Sequence, residues 1–237
     1  MEISQQQITL NCPEPDVYNR LLTLDNKHIL ELGCGSAEIT RNIACGGVGR
    51  RVTAFEVDAI AHDKNLRLIG LDNVTFGLAG AEDIPLADAT VDVVFMFKSL
   101  HHVPLAQMDQ ALAEIRRVLK TGGLAYISEP VYAGAFNDIL RLFHDEQQVR
   151  QAAFNAVKKA VDNGVMLLIE ECFFNSPMVF ADFDDFETRI LQVTHTQHTI
   201  NNELYQRIKQ SFEEHMGDDG AYFQMPIRVD LLQTPDY

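Results

Sequence analysis

The chain has 237 residues, 46% of them hydrophobic, and its 34 acidic against 19 basic side chains give a formal net charge of -15. That charge repels nucleic-acid backbones and anionic lipid surfaces unless a local basic patch overcomes it, and Arg50-Arg51 and Arg116-Arg117 are too short and too far apart to be one. No window approaches the roughly 18 uninterrupted apolar residues of a membrane span, and the start MEISQQQITLNCPEPD is not a basic then apolar leader, so a cytoplasmic protein with neither nucleic-acid nor membrane partners is expected.

Short apolar runs rich in Val, Ile, Phe and Tyr recur along the first half of the chain: HILELG from His28, RVTAFEVD from Arg51, NVTFGLAG from Asn73, VDVVFMF from Val91 and LAYISEP from Leu124. Each is bounded by Gly, Asp or Pro, which marks buried strands. Helices are predicted between them over Glu38 to Ala44, Ala59 to Gly70, a short piece around Glu82, and Leu105 to Leu119, where Met108, Leu112, Ile115 and Leu119 share one face. Thr121-Gly122-Gly123 is the expected stop of that last helix. Alternation of this kind builds a parallel sheet covered on both faces, with ligands at the C-terminal ends of the strands.

After Pro130 the rhythm breaks. Residues 133 to 171 read as two helices, Ala135 to Asp145 and Glu146 to Asn163, with no strand between them, and Met166 to Ile169 with Cys172, Phe173 and Phe174 as their core. A strand is predicted over Phe186 to Thr194, then a helix over Asn202 to Met216, a turn at Gly217 to Gly220 and a last strand over Tyr222 to Leu232. The whole is one domain: an N-terminal cap (1-27), a core (28-130), a helical insertion serving as a lid (131-185) and C-terminal strands and helix (186-237).

Cys12, Cys34, Cys45 and Cys172 have neither CxxC spacing nor a histidine at ligand spacing, so free thiols are expected. His144, His195 and His198 lack a third ligand nearby, and no metal is expected. Gly33-Cys34-Gly35 sits where the first strand hands over to a helix, so the backbone there can turn tightly and approach a ligand closely. A dinucleotide fingerprint needs a further glycine where Glu38 stands, and no GK[ST] is present, which speaks against NAD, FAD and nucleoside triphosphates. Glu56, ending the second strand, is placed to take both hydroxyls of a ribose.

ELGCGSA, the acid in FEVD, AEDIPLADATVDVVFMFKSLHHV and EIRRVLKTGGLAYISEP, in that order across residues 28 to 130, resemble the successive motifs of class I S-adenosylmethionine-dependent methyltransferases. The resemblance implies a Rossmann-like, mostly parallel seven-stranded α/β sheet with helices on both faces, an antiparallel last strand and a helical insertion between strands five and six. It also implies S-adenosylmethionine as cofactor and S-adenosylhomocysteine as product. By that resemblance Glu31, Gly33 and Gly35, with Cys34 between them, hold the methionine moiety. Glu56 and Val57 would take the ribose, Ala81 and Glu82 would flank the adenine, and Phe97 and Lys98 would stand beside the sulfonium. Tyr18 would fold over the cofactor from the N-terminal segment. Two positions depart from the family pattern: Ala37 replaces the third glycine, and Gly80 replaces the acid before the adenine loop, which leaves Glu82 or Asp83 to hold the adenine amino group.

Methyl transfer from a sulfonium is an in-line displacement with an activated donor, so a general base is optional. His102 is the candidate base, and His101, Tyr132, Phe136 and His144 are the candidate acceptor contacts. A small-molecule acceptor is expected. The alternatives are a binding module without turnover and a protein or RNA methyltransferase, the amino-methylating nucleic-acid enzymes being disfavoured by FKSL where they carry [ND]PP[YF].

Overall fold

The computed structural model describes residues 1-192 and 199-235. The elements are α1 (Glu14–Leu21), β1 (His28–Leu32), α2 (Glu38–Cys45), β2 (Arg51–Glu56), α3 (Ala59–Asn65), β3 (Val74–Leu78), β4 (Val91–Phe97), α4 (Met108–Val118) and β5 (Leu119–Pro130). They continue with α5 (Ala135–Leu140), α6 (Gln147–Asp162), β6 (Leu167–Phe180), α7 (Phe183–Phe186), α8 (Asn202–Glu213), β7 (Met216–Gly217) and β8 (Gly220–Gln233). One sheet runs β3-β2-β1-β4-β5-β8-β6, with the two-residue β7 hairpinned onto β8. The pairs among β1 to β5 are parallel, and β8 is antiparallel to both β5 and β6. This is the expected Rossmann-like architecture with an antiparallel final strand, and α5 and α6 are its helical insertion.

Both faces of the sheet are packed, as continuous apolar strands require. On one face α4 buries Met108, Leu112 and Ile115 of the stripe read from the sequence, together with Ala111 and Val118, while Leu119, expected on the same helix, opens β5. Each larger side chain of that stripe contributes roughly 1.5 to 3 kcal/mol on burial. On the other face α1 and α2 contribute Val17, Tyr18 and Ile43 to a second cluster around Phe95 and Tyr126. Between α4 and the body of β5, Gly122 takes a φ of +71° and the register on β4 shifts, so the glycine pair bulges the start of β5 where a plain helix stop is expected.

The later chain departs from its sequence reading in two places. Residues 167-180, read as lid core with no strand, form β6, which pairs with β8 from Leu167 opposite Gln233 to Phe180 opposite Ala221. It is the last strand on the sheet path, much of it is exposed, and it contains Pro177, which an edge strand tolerates but which reads as a breaker in isolation. The strand predicted over Phe186 to Thr194 is helical where it is described: Phe186 ends α7, and Glu187–Leu191 form a π-helical turn. Asp182 caps α7 by accepting from the Asp185 N–H, and Phe183 and Phe186 bury together at helical spacing. The rest of that segment, with His195 and His198, lies outside the described residues. The piece around Glu82 is a turn rather than a helix.

Phe183 and Phe186 belong to a third apolar cluster with Phe136, Phe180, Phe212 and Phe223, formed where α5, α7 and α8 meet the ends of β6 and β8. The N-terminal segment runs along the free edge of β6, where Cys12 N–H donates to Asn175 O (3.2 Å) and Asn175 N–H to Leu10 O (2.8 Å).

Candidate active site

The glycine turn is built to bring three strand ends together. Gly33 and Cys34 both donate their N–H to Phe55 O, at 2.9 and 3.0 Å, which fixes the turn on the end of β2. Gly33 has a φ of +74°, and a Cβ there would stand 2.7 Å from Ser99 Cβ, so glycine lets β1 and the loop after β4 close up. Gly35, with a φ of +53°, faces open space. Ala37 takes the same left-handed conformation at φ +59° and leads into α2, so the third glycine of the family pattern is replaced without losing the backbone shape. Beneath the turn Glu31 is buried and accepts from Thr40 Oγ (2.6 Å); burial, offset in part by that bond, raises its pKa to about 7. Burial likewise pushes the Cys34 thiol up to about 12.

Glu56 gathers the next loop. One carboxylate oxygen accepts from Gly35 N–H (2.6 Å), and the other accepts from Val57 N–H (2.8 Å) and Asp58 N–H (2.9 Å). Above it opens a cleft of about 610 Å³ at the C-terminal ends of the strands, in the size range of small-ligand sites. Glu56 and Val57 line one side, Ala81 and Glu82 another, and Lys98 and His102 a third. The loop after β3 shows how the missing acid at position 80 is accommodated. A Cβ built on Gly80 would collide with both carboxylate oxygens of Glu82, so the Glu82 carboxylate occupies the space a side chain at 80 would enter.

At the end of β4, Lys98 has a φ of +52°, lines the cleft and reaches Glu14 of α1 through Nζ (3.2 Å). Glu14 in turn accepts from Tyr126 OH (3.1 Å), so α1 is pinned over this strand end. Tyr18 and Phe97, expected at the cofactor, are elsewhere: both lie in the second apolar cluster, where Phe97 stacks on Phe95 at 4.9 Å and Tyr18 packs edge-on to Phe95 at 5.5 Å. Burial raises the Tyr18 phenol to about 12. Tyr18 is thus buried in that cluster and is not among the residues lining the cleft.

The two adjacent histidines divide. His102 is exposed and lines the cleft. His101 is buried, its Nδ1 bonded to Glu129 and its Nε2 3.5 Å from Glu146. Burial disfavours its charge, but the two carboxylates outweigh burial and raise its pKa to about 9. Glu129 also accepts from Leu100 N–H (2.9 Å), and its pKa is lowered because His101 and that bond overcome the burial penalty. Glu146 is bonded to Arg150 (2.6 Å) and to His144 (3.0 Å). His101, His102 and Glu146 could each offer a metal-ligand atom within 4.8 Å of the others, but His101 and Glu146 are already committed to this chain of charges.

Of the residues expected at the site, the cleft therefore brings together Gly33, Glu56, Val57, Ala81, Glu82, Lys98 and His102. Glu31 and Cys34 support the turn from beneath, and Phe136 is buried in the third cluster against Phe180 (6.1 Å) and Phe223 (5.8 Å). Tyr132 lines a separate small cavity, and His144 serves the Glu146 network. Sequence reasoning missed Asp58 and Ser99. Asp58 caps α3 by accepting from Ile60 N–H (2.8 Å), a signal present in the Asp-x-x-x start of that helix. Ser99 donates to Leu32 O (2.9 Å) across the strand ends, which no local pattern announces.

A twisted parallel sheet with its cleft at the glycine turn defines the class I methyltransferase fold. Residues 30-127 match the family model described as a methyltransferase domain. Methyltransferase GfsG of Streptomyces halstedii is 32% identical over 128 residues, covering 52% of this chain and 45% of that protein. A dimethylglycine N-methyltransferase of Parasynechococcus marenigrum is 28% identical over 161 residues, covering 66% of this chain and 56% of the relative. A crystal structure described as a methyltransferase of Bacillus halodurans superimposes with a TM-score of 0.64 at 16% identity, covering 94% of this chain and 99% of the other, a likeness of fold. Over residues 30-127 the chain carries a methyltransferase domain of the class I S-adenosylmethionine-dependent kind. It spans about half the length of the curated relatives it matches. Among the described residues no helix is long and apolar enough to cross a membrane.

Proposed function

We propose that the chain transfers a methyl group from S-adenosylmethionine to a small-molecule acceptor. The observation that carries this reading is the cleft itself, in which an acid at the end of β2, the loop after β3 and the end of β4 converge above a glycine turn that leaves open space. The residues suit the group: Glu56 offers carboxylate oxygens for ribose hydroxyls, Glu82 offers an acceptor for the adenine amino group in place of an acid at position 80, and Gly35 leaves room for the methionine end. When bound, the cofactor supplies an electrophilic methyl group already activated for displacement. What remains for the protein is alignment, exclusion of water and a place for a proton.

His102 is the candidate proton acceptor, being an exposed histidine in the wall of the cleft. His101 is not suited to that role, because it is held protonated between two carboxylates. Residues 131-166, with α5 and α6, act as the cover on the acceptor side, while β6 belongs to the sheet. A net charge of -15 disfavours RNA as acceptor.

Calorimetric titration with S-adenosylhomocysteine and with NAD tests the cofactor. Binding of the former is expected to weaken by roughly 1.5 to 3 kcal/mol in Glu56→Ala, through loss of charge-assisted hydrogen bonds, and to be unchanged in Asp63→Ala on the exposed side of α3. Binding of NAD alone would sink the assignment.

A further inference from the structure

A second, smaller cavity of about 190 Å³ lies beside the end of β5, with Ser4 of the N-terminal segment, Glu129, Tyr132, Arg150 and Arg228 in its wall. Three of these side chains are charged and buried: Glu129, Arg150 and Arg228. Two are spent. Glu129 is bonded to His101 and to Leu100 N–H, and Arg150 donates to Glu146, to Asn137 Oδ1 (3.0 Å) and to Val131 O (3.4 Å). Arg228 differs. Its Nε donates to Asp230 (2.9 Å) and its guanidinium lies over the Phe154 ring at 4.7 Å, but its buried Nη2 has no hydrogen-bond partner among the described residues. The Arg228 side chain is only 4% exposed, and a buried cationic donor without a partner is costly to maintain.

We propose that this cavity is the anchor site of the methyl acceptor and that it takes a carboxylate on Arg228. The inference rests on the small-molecule methyltransferase reading and names the acceptor's chemical class. A guanidinium edge matches a planar carboxylate, and a carboxylate brings one negative charge to a wall that already holds Glu129 and has Asp230 behind it. A phosphate dianion would meet stronger repulsion from the same two groups. The position is also right for an acceptor. Glu129 lines the small cavity and is bonded to His101, whose ring lies 4.1 Å from that of His102 in the main cleft. Lys98 N–H donates to Ser128 O (2.7 Å), so the end of β4 in the cleft lies directly beside the residue preceding Glu129. The His101–Glu129 pair is thus the partition between the anchor cavity and the methyl-transfer cleft, and an acceptor held by Arg228 has to reach past it.

The experiment titrates the wild-type protein, with and without saturating S-adenosylhomocysteine, with acetate, benzoate, acetamide, benzamide and inorganic phosphate. Calorimetry and the arginine side-chain NMR signals are the readouts. The expected result is that the carboxylates bind at least tenfold more tightly than their amides and shift the Arg228 signals, and that Arg228→Lys loses at least tenfold of carboxylate affinity with S-adenosylhomocysteine affinity within twofold. Equal binding of acids and amides, tighter binding of phosphate, or no carboxylate binding overturns the proposal, and the wild-type comparison decides it even where Arg228→Lys does not fold. Loss of S-adenosylhomocysteine binding would instead strike the methyltransferase reading, whereas cofactor-product binding without carboxylate binding strikes the anchor alone.

Discussion

The carboxylate of Glu82 fills the space into which a side chain on Gly80 would project. Position 80 is where the family pattern has an acid, and two residues further on this chain returns an acid to the same place by letting the backbone pass without a Cβ.

If Glu82 takes over the contact to the adenine amino group, Glu82→Ala should weaken S-adenosylhomocysteine binding by about 1.5 to 3 kcal/mol, the range of a hydrogen bond to a charged group. Asp83→Ala, one residue along and exposed, should leave affinity within twofold. Calorimetry on the two variants separates them, and equal losses would mean that the loop as a whole, not the Glu82 carboxylate, holds the base.

Gly33 and Ser99 make a second pair with a measurable consequence. Gly33→Ala places a methyl 2.7 Å from Ser99 Cβ at a φ of +74°, so it adds a steric clash to a backbone penalty of roughly 1 to 2 kcal/mol. Gly35→Ala, at φ +53° in open space, should carry the backbone penalty alone. Thermal melting should therefore place Gly33→Ala below Gly35→Ala, and adding Ser99→Gly should recover part of the difference. If the double variant melts no higher than Gly33→Ala, the close approach of the two strand ends is not what demands glycine.

Legibility in the sequence followed the range of the interactions. The parallel half of the fold was readable because each strand is a dense apolar run with a loop signal at its end, and the stripe on α4 is a local periodicity. Glu56 and Lys98 were readable because they terminate strands in recognisable motifs. β6 was not, because it is an edge strand whose half-exposed pattern and Pro177 make sense only once β8 is beside it. Phe97 sits in the motif at the end of β4 and Tyr18 in the N-terminal segment, and neither position tells whether its ring faces the cofactor. Which face of the strand end a side chain takes is decided by packing on Phe95 and Tyr126, which the linear sequence does not display. The split between His101 and His102 likewise depends on Glu129 and Glu146, the nearer of which is 28 residues away along the chain.

Tyr132 and Phe136, four residues apart, should respond oppositely to substitution. Phe136→Ala removes a ring from the third aromatic cluster and should destabilise the protein by about 3 to 5 kcal/mol. Tyr132→Phe should leave the melting temperature and S-adenosylhomocysteine affinity nearly unchanged, within about threefold or roughly 0.6 kcal/mol, while altering turnover across a panel of carboxylate-bearing acceptors. Melting and titration on the same samples check this, and a stable Phe136→Ala with altered turnover would return Phe136 to the acceptor side.

The clamp on His101 predicts how stability changes with pH. The groups facing this ring are Glu129 from β5, Glu146 at the start of α6 and the neighbouring His102, with His144 and Arg150 bonded in turn to Glu146. The folded pKa of about 9 lies above the ordinary 6.5, so the stability that protonated His101 contributes is complete below pH 6.5 and is lost as the pH rises through about 9. Glu31 acts with the same sign in a lower window: burial raises it from 4.5 to about 7, and its contribution fades between those values. Glu129 and Glu146, both lowered, act in the opposite sense and lose their contribution only in acid, below the ordinary carboxylate range. Denaturant unfolding measured from pH 6.5 to 9.5 should therefore show wild-type stability falling across the interval, while His101→Gln starts lower and runs nearly flat above pH 8, once Glu31 is ionised. Glu31→Gln should keep the slope above pH 8, because a group with a pKa of about 7 is almost fully ionised by then. A His101→Gln protein whose stability declines in parallel with the wild type over that interval would show that the charge is not held there, and that the link between the cleft loop and α6 has another origin.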